Sequence, residues 1–200
     1  MHVLARGSTV RDPHTTVTDT RDGGAALTTD LSDVPIRTPV EIELRSPGSF
    51  AVNPDGSLTV LDDAGTAVGG FTRPTVGAAF TDVDETHVEL TRSDEPLEMR
   101  EVSTRLGTAA IAGTVWGERE GGRSLAVEPT AWTREAGRAG WAAAWAELVE
   151  AEPEVDSPGM YDQLVCHAIG APDKATWNLE PWRPDVGLVA VMAARCNPEE

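Results

Sequence analysis

The spacing of apolar residues changes once along this chain, and that change restricts the fold more than any other feature. In PVEIELR (39–45), Val40, Ile42 and Leu44 alternate with Glu41, Glu43 and Arg45, the period of two that gives a strand one buried face. THVELT (86–91) repeats the pattern through Val88 and Leu90, and PLEMREV (96–102) through Leu97 and Met99. NPDG (53–56) and DDAG (62–65) are turn signatures, because proline fixes φ and glycine accepts a positive one. With SLTVL and TAVGGF around them, residues 37–72 read as a meander of short antiparallel strands. AAIAGTVWG and RSLAVEP form one more hairpin about EREGG (118–122).

Beyond residue 140 the period lengthens. In GWAAAWAELVEAEP, Trp141, Trp145 and Leu148 recur at i, i+4 and i+7 until Pro153, which marks a helix that sends both tryptophans to the core. DSPGMYDQLVCHAIG opens on Ser157 as N-cap and Pro158 at the first helical position. PDVGLVAVMAARCNP is a third helix, apolar around most of its circumference, and so expected at the centre of its module. The fold class is α+β. Residues 1–34, polar and without a sustained period, are expected to be a flexible leader. Residues 35–107 are expected to be an antiparallel, sandwich-like β module, and residues 108–200 a β-hairpin plus three helices.

The net charge of −17, from 33 acidic and 16 basic residues, repels phosphate backbones and anionic lipid surfaces and argues against a nucleic-acid partner. No stretch is long and apolar enough to span a bilayer, so membrane insertion is not expected. The first residues lack the apolar run of a signal peptide.

Only two cysteines occur, Cys166 in the second helix and Cys196 at the end of the third. A bond between them would tie these helices together, as suits an oxidising compartment. The competing reading, a Cys166 thiolate with His167 as its base, is opposed by geometry. Neighbours on a helix point about 100° apart. We therefore expect a disulfide.

His167 could instead act as a general acid or base, with Asp162 and Gln163 on nearby helical positions. The plainer outcome is a histidine bonded to a backbone carbonyl. In WNLEPWRP (177–184), Glu180 and Arg183 are three apart, flanked by Trp177 and Trp182 and braced by Pro181 and Pro184. Such a stiff loop suits the display of a ligand site. Equally, Arg183 could pair with Asp162 or Glu180 and lock the loop down. No metal-ligating spacing, phosphate loop or dinucleotide fingerprint occurs, so neither metal nor cofactor is expected. GRSLA (122–126) loosely matches a nucleophile elbow, but Ser124 begins a strand where that elbow needs a strand-to-helix turn.

The runs SLAVEPTAW, GMYDQLVCH, WNLEPWRP and RCNP, in that order and spacing, resemble the bacterial domain of unknown function 2599, found at the C-terminal end of secreted actinobacterial proteins. The resemblance covers about residues 110–198. It implies a secreted protein whose signal peptide is missing from this chain, and it implies no activity. Two functions of different class follow as expectations. One is an extracellular or cell-envelope interaction module that meets an unknown ligand through Trp177, Trp182 and Gln163 on or beside the proline-braced loop. The alternative is a secreted effector or hydrolase in which His167, Asp162, Glu180 and Arg183 converge in one cleft.

Overall fold

The structure, a computed structural model, describes residues 2–3, 8–11, 14–21, 23–30, 39–92 and 101–199. Among the described residues, thirteen strands precede the first helix: β1 (His2–Val3), β2 (Ser8–Arg11), β3 (Thr15–Asp19), β4 (Ala25–Asp30), β5 (Val40–Leu44), β6 (Ser49–Val52), β7 (Leu58–Leu61), β8 (Ala67–Phe71), β9 (Ala78–Asp84), β10 (His87–Arg92), β11 (Glu101–Gly107), β12 (Ile111–Arg119) and β13 (Gly122–Pro129). Then come α1 (Ala131–Glu135), α2 (Gly137–Ala151), a 3₁₀ turn at Pro153–Val155, α3 (Pro158–Gly170), β14 (Trp177–Leu179) and α4 (Leu188–Ala193).

All strand pairs are antiparallel. One sheet runs β1-β2-β5-β10-β9, and a second runs β3-β4-β11-β8-β7-β6. Alternation delivers one face of each sheet to a shared core. Ile42, Phe80, Val88 and Leu90 from the first meet Leu27, Leu58, Phe71 and Leu106 from the second. Phe71 and Phe80 touch edge to face across the layers, with ring centroids 5.9 Å apart. The α+β class and the antiparallel β module read from the sequence are therefore present. The alternation at Leu97 and Met99 falls outside the described residues.

The expected flexible leader is corrected. Thr15–Asp19 and Ala25–Asp30 form a hairpin, and β4 continues onto β11, pairing Leu27 with Thr104. Ala25 and Leu27 are buried in the sandwich core. The segment looked unstructured because its inward positions are largely Thr and Ala, which carry little hydropathy signal.

The C-terminal module has its own core, built from Leu125, Val127, Trp132, Leu148, Met160, Leu164 and Trp177 among others. Its hairpin gains a third strand, β14, absent from the sequence reading, in the order β12-β13-β14. Arg119 pairs with Gly122 across Glu120 and Gly121, which take φ of 53° and 88°, a two-residue turn of the kind that matches strand twist.

Helices α1 and α2 sit on the second sheet, and the seat is glycine. A Cβ on Gly107 would lie 2.1 Å from the Trp132 ring, and one on Gly70 would lie 2.9 Å from the Ala139 Cβ. The face of α2 turned inward is correspondingly small: Ala139, Gly140, Ala143 and Ala144, with Leu148. Trp141 and Trp145, expected in the core, are only half-buried at its edge. Close approach of helix to sheet selects alanine, and the indoles are left to the rim.

The seat is reinforced at the start of α2, whose own N-cap side chain makes no capping bond. Asp55, from the NPDG turn, accepts the Arg138 backbone N–H at 2.6 Å, and Ser57 Oγ accepts that of Ala139 at 3.2 Å. A carboxylate at a helix N-terminus is favoured by the helix dipole as well as by the hydrogen bond.

Gly107→Ala is expected to destabilise the protein by about 1–3 kcal/mol through overpacking against Trp132. Gly113→Ala, where a Cβ meets nothing within 4 Å, should leave the urea midpoint nearly unchanged. Equal midpoints for the two variants would refute the glycine seat.

Candidate functional site

Helix α3 carries most of the residues singled out by sequence. Ser157 caps it, accepting the Met160 N–H, and Pro158 occupies its first position. Cys166 and Cys196 are disulfide-bonded with Cα atoms 5.5 Å apart, and no free cysteine remains. Cys166 is therefore no nucleophile. Around the bond lies a small core with Val191. The helix expected at the centre of the module is instead short and peripheral. In α4 only Val191 is buried, and Val189 is 86% exposed. Its apolar residues surround it because the disulfide, rather than burial of a whole face, fixes its position.

His167 is buried, 2% exposed, and its Nε2 donates to the Asn178 carbonyl at 3.0 Å. Nδ1 has no partner. Burial is the main reason its pKa falls, from 6.5 to about 4, against the opposing pull of the Asn178 carbonyl. The neutral ring pins α3 to β14. Asp162 makes no hydrogen bond to it among the described residues. Its carboxyl is held above the usual range, first by burial and then by the charge of Asp185.

Gln163 acts as a surrogate strand. Its Nε2 donates to the Glu180 carbonyl at 3.0 Å, and its Oε1 accepts the Glu180 N–H at 2.8 Å. The side chain expected to meet a ligand instead satisfies backbone just past the end of β14. Glu180, 1% exposed, pairs through Oε2 with Arg183 Nε. The guanidinium also donates to the Pro198 carbonyl at 3.1 Å and to Glu120 Oε2 at 2.6 Å. One buried cation thus joins the β12–β13 turn, the proline-braced loop and the chain beyond the disulfide.

The expectation that this loop displays its side chains is corrected. Trp177, Glu180 and Arg183 are buried, while Trp182 is 44% exposed. The Trp182 ring lies against Gly122, where a Cβ would come within 2.2 Å, and carries the Arg183 guanidinium 4.5 Å from its centroid. Arg134 holds the preceding segment by donating to the carbonyls of Pro172, Lys174 and Ala175. His167, Glu180 and Arg183 are all buried, but His167 bonds the Asn178 carbonyl while Glu180 pairs with Arg183, so the side chains serve the packing of α3 and the loop.

A concave feature lies elsewhere on the helical module. Between α2 and the DDAG turn runs a groove of about 620 Å³, floored by Trp145, Val149 and two alanines of α2 and rimmed by Asp62, Glu150 and Asp156. Its volume is within the range of small-ligand sites. Trp145 is steadied by an edge-to-face contact with Tyr161, with centroids 5.2 Å apart. Sequence reading missed this site although its signal was present: Ala142, Trp145, Ala146 and Val149 recur at helical spacing. Which stripe of α2 faces the core is decided by the glycine seat, not by hydropathy. Among the described residues, no group of His, Cys, Asp and Glu could hold a metal ion.

Fold and site together define a disulfide-closed α+β module built against a β-sandwich, with its polar network internal. Residues 111–199 match the family model described as a protein of unknown function, DUF2599, and for these residues the likeness seen in the four motifs is established. Over 93 residues, 42% of this chain, the protein is 42% identical to an uncharacterized protein of Mycobacterium tuberculosis and to one of Mycobacterium bovis. A Mycobacterium leprae protein, also uncharacterized, is 37% identical over 59 residues, 28% of this chain and 48% of its own length. The chain spans 63% of the length of the first two relatives. No solved structure matches it.

Two measurements check this network. Replacing both cysteines by serine should cost roughly 3–4 kcal/mol, the chain-entropy value for closing a loop of this size, read from urea unfolding. The histidine gives a pH signature. An unfolded His167 takes up its proton near pH 6.5 and the folded one near 4, so protonation favours the unfolded chain. Stability present above pH 6.5 is lost as pH falls through 4, by roughly 3 kcal/mol. His167→Gln should flatten that part of the profile, and an unchanged slope would show that the imidazole is not sealed.

Proposed function

We propose that the protein is a secreted, non-catalytic binding module that acts outside the cell or at the envelope. The observation that carries this reading is the burial of His167, Glu180 and Arg183, with His167 bonded to the Asn178 carbonyl and Glu180 paired with Arg183. A general acid or base must reach substrate, whereas His167 is committed to a backbone carbonyl and Glu180 to Arg183. The polar chemistry that looked catalytic in sequence therefore serves to hold α3, β14 and the C-terminal segment together.

Export is supported by the disulfide, since such bonds persist in oxidising compartments. It also fits the absence, among the described residues, of any helix long and apolar enough to cross a membrane. The net charge of −17 suits a protein that stays soluble outside the cell and avoids anionic surfaces. Because Trp177, Glu180 and Arg183 of the proline-braced loop are buried, the binding surface falls to the groove on α2.

Fractionation of the producing bacterium should recover the protein from the medium or envelope, with no thiol titratable under denaturing conditions and two after reduction. Cytosolic recovery with two free thiols would overturn the proposal of export. Diethyl pyrocarbonate footprinting checks the non-catalytic part. Exposed His14 should be modified promptly, and His167 only after unfolding. Rapid labelling of His167 in the folded protein would restore it as a candidate acid or base.

A further inference from the structure

We propose that the α2 groove binds a basic, amphipathic peptide segment, with arginine or lysine side chains meeting Asp62, Glu150 and Asp156 while an apolar side chain packs on Trp145 and Val149. This deepens the binding-module reading and rests on it.

Three features select that occupant. The floor is apolar: Trp145 and Val149 stand one turn apart on α2, with alanines at the neighbouring positions leaving room between helix and turn. An indole also attracts cations over its face. The rim is of one sign. Its charged residues are all acidic, with no lysine, arginine or histidine in the lining, so an anionic or purely apolar ligand meets three uncompensated carboxylates.

The third feature is that those carboxylates are uncommitted and dispersed. Among the described residues none of the three forms an ion pair, although Arg105, Arg123 and Arg183 are each paired with glutamates elsewhere. Asp62 uses Oδ1 to accept the N–H groups of Ala64 and Thr66, and its other oxygen has no such bond. The three come from separate elements: the DDAG turn, the last turn of α2, and the residue before the cap of α3. They are not grouped closely enough to hold a metal ion. Charges spread along a groove match a ligand whose cations are themselves spread along a chain, with an apolar side chain between them.

The test uses the intact disulfide-bonded protein and a fluorescein-labelled peptide, Gly-Arg-Leu-Arg-Leu-Arg-Gly, in fluorescence anisotropy. Two comparison peptides carry glutamate for every arginine or serine for every leucine. One variant neutralises the rim (Asp62→Asn, Glu150→Gln, Asp156→Asn). A second removes the same charge from exposed positions of the sandwich (Asp82→Asn, Glu85→Gln, Glu101→Gln). We expect the basic amphipathic peptide to bind, more weakly as salt rises, and the serine peptide to bind less well. We expect the glutamate peptide not to bind. The rim variant should lose affinity by roughly tenfold or more, and the sandwich variant by less than about twofold. Ala146→Arg, which places a cation and bulk on the groove floor, should abolish binding and guards against a misfolded rim variant.

Equal losses in the two triple variants would assign binding to the overall negative charge and overturn the site. So would failure of the basic peptide to bind, or binding that Ala146→Arg leaves intact. Tight binding of the glutamate peptide, blocked by Ala146→Arg, would refute the ligand class while leaving the binding-module reading standing. Failure of that broader reading would show separately, as free thiols or as labelling of His167 in the folded protein.

Discussion

The Arg183 guanidinium is the constraint from which the C-terminal architecture follows. A buried cation is tolerated only if it is paired and its remaining donors are satisfied, and here three separate segments supply the acceptors. Glu180 comes from the loop after β14, Glu120 from the β12–β13 turn, and the Pro198 carbonyl from beyond the disulfide. Removing Glu180 would leave the buried cation without its buried counter-charge, and the other two acceptors tie their segments to the same guanidinium. The Glu120 backbone, in the left-handed region at φ 53°, sits in that geometry with its carboxylate on Arg183.

The disulfide and the polar network divide the work. The bond fixes α4 and the C-terminal segment against α3, limiting what the unfolded chain can explore. Gln163 and His167, one turn apart on α3, satisfy backbone on either side of Leu179. A three-residue strand has little stability alone. It persists because β13 pairs with one edge and side chains from α3 bind its polar groups. Residues with the profile of a catalytic cluster are thereby consumed by structure.

The two modules meet through complementary smallness. Glycines in β8 and β11 and alanines in α2 let helix and sheet approach closely, and the Asp55–Ser57 turn caps the incoming helix. The same contact turns the Trp145 stripe of α2 away from the core and against the DDAG turn, so the groove is a by-product of how the modules dock. The acidity of the chain as a whole is carried into this groove by Asp62, Glu150 and Asp156.

The sequence by itself determined the elements whose cause is local. Alternation at Val40, Ile42 and Leu44 makes a strand wherever that strand is placed, Ser157-Pro158 starts a helix, and EREGG turns a hairpin. The four C-terminal motifs carried the family likeness, and two cysteines on adjoining helices were enough to foresee their bond. The tertiary structure alone decided what depends on distant partners. It settled that Glu180 and Arg183 face inward rather than outward, and that Thr- and Ala-rich strands before residue 31 join a sheet. It also settled that tryptophans at core spacing on α2 rim a groove instead. Periodicity states that a face is apolar; which neighbour covers it, and how closely, is fixed by residues tens of positions away, as Gly70 and Gly107 fix the orientation of α2.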